Sequence, residues 1–380
     1  MELNAYLHLM VQKSASDLFL SAGARPSIKI DGETSHIGDV RLSAEQVHAM
    51  AFSVMNERQQ REFESTLEMN LAIALADIGR FRINVYRQRG DVAMVVRYIT
   101  SRIPSIETLN LPSLLKELIL LPRGLILVVG ATSSGKSTCL AAMVDYRNST
   151  RTGHILTIEE PIEYLHLHKE SVVDQREIGL DTLSYANALK NAMREAPDVI
   201  MIGEIRDREI MQHAIAYAET GHLCLATLHA NNASQTLDRI MNFFPESARA
   251  PLLIDMSLNL KAVVSLRLLR ATDDKRVPAV ELMLATPYVA DLIGKGEIHK
   301  LRDAMKQGKE QGMQSFDEAL YQLYVAGRID YRQAIEVADS RTDLALRFRL
   351  EGLAPADDPE SLRLDAFAGD LPKSAPGLER

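Results

Sequence analysis

The chain of 380 residues is 46% hydrophobic and 25% charged, values of a soluble globular protein that more readily holds two domains than three. Its net charge of −8 argues against nucleic acid as the main partner, and no stretch reaches the ~18–20 apolar residues of a membrane span. Cys139 and Cys224 stand far apart in apolar segments, which excludes a disulfide framework and a tetracysteine zinc site and points to a reducing, cytoplasmic setting.

Met1-Glu-Leu-Asn-Ala5 is neither basic nor followed by a long apolar run, so no secretory leader is expected. Residues 1–100 predict a small α/β domain. Leu18-Phe-Leu20 and Pro26-Ser-Ile-Lys-Ile30 read as short strands, and Ser43 to Phe63 as one helix with Ser43 at its N-cap. Leu71–Leu75, Gly79–Tyr86 and Asp91–Tyr98 follow as strands, the last two forming a hairpin around Gln88-Arg89-Gly90. Alternation puts Phe81, Ile83 and Val85 on one face and Arg80, Arg82 and Asn84 on the other. Pro104 and Pro112 punctuate residues 101–113, an expected linker.

Residues 114–350 predict a second domain with strands and helices in alternation. Gly130-Ala131-Thr132-Ser133-Ser134-Gly135-Lys136-Ser137-Thr138 fits G-x-x-x-x-G-K-[ST], set between the apolar strand Leu125–Val129 and a helix that starts at Thr138. The glycines let backbone N–H groups turn toward anionic oxygens, and the helix N-terminus adds its positive end. Lys136 supplies a cation for the β- and γ-phosphates, and Ser137 is a magnesium ligand. This stretch predicts binding of a nucleoside triphosphate, ATP with Mg2+.

Three more apolar strands follow: His154–Ile158 running into Glu159-Glu160-Pro161-Ile162-Glu163, Asp198–Ile202 running into Gly203-Glu204, and Leu223–Leu228 running into His229. Helices fall near 182–195 and 207–219. Near-continuous apolar strands with helices between them predict a parallel, doubly wound sheet, whose function belongs at the carboxyl ends of its strands. Those ends carry the phosphate loop, the glutamate cluster, Glu204 and His229. From about 234 the chain reads as mostly helical, with a short strand at Val280–Leu284. Residues 351–380 are acidic and broken by Pro355, Pro359, Pro372 and Pro376, and read as a disordered tail.

Hydrolysis of a γ-phosphate calls for charge neutralisation, a metal and an oriented water. Glu204 closes its strand where such enzymes place the magnesium-holding acid. One carboxylate among Glu159, Glu160 and Glu163 is positioned to polarise the attacking water, with solvated acids as the ordinary alternative. His229 is placed to sense bound nucleotide. His222 lies at the other end of the same strand, and His166 and His168 read as solvated.

Together these stretches resemble the secretion ATPase superfamily of type II secretion and type IV pilus motors, over about residues 1–350. The phosphate loop matches its Walker A. His154–Glu163 resembles its Asp box, Val199-Ile-Met-Ile-Gly-Glu204-Ile-Arg-Asp207 its Walker B, and Glu219–His229 its His box. Gly79-Arg-Phe-Arg-Ile-Asn84 resembles its N-terminal PAS-like domain, whose phosphate-reaching arginines match Arg82 and Arg97. The resemblance implies an α/β fold: a PAS-like domain joined to a RecA-like ATPase domain with a parallel sheet and C-terminal helices. It further implies a homo-hexameric ring with nucleotide sites near subunit boundaries, and it gives Glu163 the water-polarising role. Within the superfamily the chain is similar to the retraction ATPases, and most to the accessory PilU type. Glu160 in place of aspartate and Ala196 in Arg194-Glu-Ala-Pro197 are its departures from the PilT pattern. The partners so implied are a PilT-type retraction ATPase and an inner-membrane pilus platform protein. The chain would be recruited to the inner face of the inner membrane without inserting into it, and without nucleic acid. A ring adaptor that binds ATP but hydrolyses little is the competing implication.

Overall fold

Alternating apolar and polar residues in the first hundred positions form an antiparallel sheet in the computed structural model, which describes residues 2–30, 32–75, 78–273 and 275–355. Its strands are β1 (Asp17–Ser21), β2 (Ser27–Ile30), β3 (Glu33–His36), β4 (Glu68–Leu75), β5 (Gly79–Gln88) and β6 (Asp91–Ile99), in the order β3-β2-β1-β6-β5-β4. Phe81, Ile83 and Val85 are fully buried on the face that packs with Leu7, Met10, Val47 and Ala51. Arg89 (φ 52°) and Gly90 (φ 88°) make the two-residue turn between β5 and β6, whose twist suits the strands.

The expected helix from Ser43 to Phe63 is two helices, Ala44–Ser53 and Glu57–Thr66. Ser43 caps the first as predicted, its hydroxyl accepting the Gln46 N–H at 3.3 Å. The break comes at Asn56, which starts a second capping box: its side chain accepts the Gln59 N–H, and Gln59 accepts the Asn56 N–H, each at 3.0 Å. The helix Leu3–Gln12 and strand β3 were not expected from the sequence.

The second sheet is built of β7 (Gly124–Gly130), β8 (Gly153–Glu159), β9 (Ser171–Glu177), β10 (Val199–Ile202), β11 (Leu223–Leu228), β12 (Leu260–Arg270) and β13 (Arg276–Leu284). Their order is β13-β12-β7-β11-β10-β8-β9, parallel throughout except for β13. Every residue of β7, β10 and β11 is buried, which is why these strands read as unbroken apolar runs. Leu127, Leu156 and Ile200 face the helices Tyr185–Ala192 and Arg208–Glu219 on one side, while Val128, Met201 and Leu225 face Lys136–Thr150 on the other.

The region after 234 departs from expectation. Leu260–Arg270 and Arg276–Leu284 form a long antiparallel hairpin that joins the sheet beside β7. A strand buried on both faces shows no period of two, so Leu260-Lys-Ala-Val-Val-Ser-Leu266 cannot be told from a buried helix by spacing. The stretch 101–113 is ordered, with Ile106 and Leu111 buried in the cluster that holds Ile126 and Val128. Of the expected tail, 351–355 continues the C-terminal helical part, where Tyr324 Oη donates to the Leu353 carbonyl at 2.7 Å. The remainder, 356–380, lies outside the described residues. Among the described residues no helix is long and apolar enough to cross a membrane.

Candidate functional site

Strand β7 ends at Gly130, where the backbone turns with φ 155°. A Cβ there would run into Ser134 Oγ and lie 2.6 Å from the Leu266 carbonyl, so only glycine fits. Ser133 (φ 64°) and Gly135 (φ 94°) are left-handed, the kind of alternation that makes an anion-binding nest. The helix Lys136–Thr150 starts directly after it, with no side chain capping its first N–H groups. Lys136 Nζ donates to the carbonyls of Gly130 (3.0 Å) and Ala131 (2.8 Å). Burial pushes the pKa of this ammonium down, and Glu204 opposes that shift. The buried Ser134 hydroxyl has no hydrogen-bond partner. Uncapped N–H groups and a cation fit a phosphate chain.

The neighbouring strand ends supply acids. At the end of β8, Glu159 is buried, its Oε1 accepting from Thr157 Oγ1 (2.6 Å) and Gln175 Nε2 (3.1 Å). Burial raises its pKa to about 7, against hydrogen bonds from Thr157, Gln175 and the Glu163 backbone. The Glu160–Pro161 peptide is cis, and Glu163 is exposed two residues on. Glu204, just past β10, accepts from Arg206 Nε through Oε2 (2.8 Å), and its Oε1 lies 3.0 Å from His229 Nε2. Arg206 also holds Glu160, at 2.5 Å, so it bridges the two acids.

These groups line one cavity of about 660 Å³, a size common for ligand sites. Lys136, Ser137, Glu163, Glu204 and His229 all line it, as do Thr132, Ser133, Gly135 and Thr138 of the phosphate loop. Gly130, Ala131 and Ser134 complete the loop without lining it. Arg82 and Arg97 are cross-strand neighbours on β5 and β6, away from that lining. Each faces a carboxylate: Arg97 Nε donates to Asp17 Oδ1 at 2.8 Å, and Arg82 Nε lies 3.8 Å from Glu177 Oε1. Arg80 approaches the other oxygen of Glu177 at 3.9 Å. His222 is outside the cavity lining, its Nδ1 3.1 Å from Thr220 Oγ1.

His166 corrects the solvated reading. It is buried, lines the cavity, and burial lowers its pKa to about 4. His168 instead accepts the Val173 N–H at 3.0 Å through Nδ1. The sequence reading also missed Gln175 and Glu177, because β9 is polar and short of apolar residues. Gln175 pins the Glu159–His166 loop, accepting the His166 N–H (2.7 Å) and donating to Glu159 and to the Tyr164 carbonyl (2.9 Å).

Residues 3–328 match the family described as Type II/IV secretion system protein. The chain belongs to that family. Type II/IV secretion proteins similar to it include the type IV pilus ATPase PilU of Pseudomonas aeruginosa, 53% identical over 363 residues covering 95% of each chain. The type IV pilus retraction ATPase PilT of the same organism is 40% identical over 338 residues, 89% of this chain and 98% of PilT. A crystal structure of the pilus retraction motor PilT with bound ADP superposes with a TM-score of 0.84 at 39% identity, over 90% of this chain and 98% of that one. The structure also places the two positions that the resemblance singled out. Glu160 reaches Arg206, and Ala196 sits at φ 51°, a left-handed conformation that aspartate tolerates better than alanine.

Proposed function

We propose that this chain is an ATP-hydrolysing subunit of a hexameric motor that retracts type IV pili, an accessory PilU-type subunit working beside a PilT-type ATPase. The observation that carries the proposal is the meeting of four strand ends in one cavity, with Lys136 and Ser137 facing Glu163, Glu204 and His229. Lys136 and the loop N–H groups bind the phosphates. Ser137 and Glu204 would hold a magnesium ion, a hydroxyl and a carboxylate that suit a hard cation completed by phosphate oxygens and water. When bound, that ion neutralises charge on the phosphates. Glu163 orients the attacking water, and His229, joined to Glu204, reports on the occupied site. The motor works at the cytoplasmic face of the inner membrane, held there by protein contacts that include a PilT-type ring and a platform protein.

Two measurements test this. Cells lacking the chain should retract pili with less force, and the purified chain should turn over ATP, faster when a PilT-type partner is present. Full retraction by this chain in cells without the PilT-type protein would make it a principal motor and end the accessory assignment.

Arg82 and Arg97 belong to the same proposal. They complete the nucleotide site when the N-terminal domain closes on it in the ring, where a charge-neutralising arginine contributes ~10³–10⁵-fold to phosphoryl transfer. For Arg82 that requires release from Glu177, a weak contact at 3.8 Å. Arg82→Ala and Arg97→Ala should each lower turnover with the ring still formed. Near-normal turnover in both single variants and in the double variant would leave them as ordinary ion-paired residues.

A further inference from the structure

Tyr185 opens the helix Tyr185–Ala192, capped by Ser184, whose hydroxyl accepts the Asn187 N–H at 3.2 Å. Its ring belongs to the apolar cluster with Ile158, Ile202 and Ile205, and the residue is only 8% exposed. Tyr185 lines the nucleotide cavity, yet its buried hydroxyl has no hydrogen-bond partner. The hydroxyl stands between the ends of β8 and β10. A Cβ placed on Gly203 would come within 2.9 Å of it and 3.2 Å of Glu159 Cα, so a glycine there makes room for the phenol. An orphaned buried hydroxyl is a net cost to the fold that phenylalanine would avoid.

The surroundings explain why a donor is useful at this point. Glu160, Glu163 and Glu204 line the acid side of the cavity beside the partly ionised Glu159, and ionised carboxylates only accept. The strong donor near them is engaged, since Arg206 holds both Glu160 and Glu204, and His229 Nε2 lies 3.0 Å from Glu204. Tyr185 has its donor to spare. A water attacking in line turns one lone pair to phosphorus and its two O–H bonds to acceptors, which leaves its second lone pair in need of a donor.

We propose that the Tyr185 hydroxyl is a further catalytic group in ATP hydrolysis, donating a hydrogen bond to the attacking water while the carboxylates hold that water's protons. The hydroxyl keeps its proton throughout. Burial, together with Glu160, Glu159 and Glu204, raises its pKa and outweighs the opposite pull of Arg206. The proposal rests on the hydrolysis reading above.

Tyr185→Phe in the full chain removes one oxygen and tests it. The expected result is a roughly tenfold fall in kcat, with KM for ATP within about twofold of the parent, the size of one lost hydrogen bond in the transition state. Thermal unfolding should occur at the same temperature or higher, since an unpaired hydroxyl has gone. The ratio of parent to variant kcat should stay constant between about pH 6.5 and 9, because the phenol does not titrate there. A kcat within twofold of the parent overturns the proposal. So does a loss of activity that tracks a loss of folded protein, which would make Tyr185 a packing residue. A parent chain with no Lys136-dependent turnover defeats the hydrolysis reading itself and takes this proposal with it. Clear parental turnover matched by Tyr185→Phe defeats only the tyrosine's role.

Discussion

Lys136→Ala is expected to leave the chain folded, weaken nucleotide binding and abolish ATP turnover. The ammonium is half-buried at the mouth of the phosphate loop and, among the described residues, donates to the Gly130 and Ala131 carbonyls alone, and Lys136 belongs to none of the apolar clusters of this domain. The helix that carries it is anchored by Cys139, Leu140 and Met143 against the sheet, none of which the substitution touches. Burial that lowers the pKa of Lys136 means that its charge is kept at a cost, and that cost is returned when a phosphate faces it. Charge-neutralising groups of this kind contribute ~10³–10⁵-fold to phosphoryl transfer. Turnover, nucleotide titration and thermal unfolding should be measured together, at matched oligomeric state. Unchanged hydrolysis in a correctly assembled variant would sink the phosphate-loop reading.

The elements that carry this site were legible because burial and chemistry leave their mark on the same residues. Strands β7, β10 and β11 are buried on both faces, so they read as apolar runs, and β10 and β11 run into Glu204 and His229, which line the cavity. Glu204 and His229 were legible as the polar residues that follow apolar runs, and Lys136 from its place in the G-x-x-x-x-G-K-[ST] pattern. Strand β9 gave no such sign. It is an edge strand, Ser171-Val-Val-Asp-Gln-Arg-Glu177, with polar residues at most positions, so neither the brace from Gln175 nor the contact of Glu177 with Arg80 and Arg82 was visible. Of the β12–β13 hairpin the sequence showed only Val280–Leu284, as a short strand, and β12 was missed for the opposite reason. Residues 262–266 of β12 are buried without a break, so no period of two shows there and the apolar spacing reads as helix. Tyr185 falls between these cases. Nothing in the sequence singled it out within the helix expected near 182–195, and only its buried, unpaired hydroxyl marks it as more than packing. Arg82 and Arg97 were identified from the resemblance, and in the isolated chain they face carboxylates rather than the cavity. The role proposed for them needs the closed ring, a contact that a single chain does not contain.

Glu163→Gln is expected to bind ATP with magnesium as the parent does and to hydrolyse it ~10²–10⁴-fold more slowly, the range for loss of a general base or water-orienting group. Three glutamates compete for this role, and their environments separate them. Glu160 is tied to Arg206 at 2.5 Å, and its charge is spent in that pair. Glu159 is buried, with one oxygen accepting from both Thr157 and Gln175 and a pKa raised to about 7. It is therefore only partly ionised near neutrality, and its position is set by the strand. A raised carboxyl pKa adds stability that is fully present below the unfolded value of 4.5 and is lost as pH rises through about 7, so ionising Glu159 works against the fold. Glu163 bears neither constraint. Its side chain is exposed to the cavity and makes no ion pair among the described residues, so its carboxylate is free to take a proton from water. Single-turnover kinetics of the three glutamine variants, each with nucleotide affinity measured beside it, decide the matter. A crippled Glu159→Gln or Glu160→Gln next to an active Glu163→Gln would move the water-polarising role to the other carboxylate. The expected order places the largest loss of kcat at Glu163, with affinity for ATP preserved.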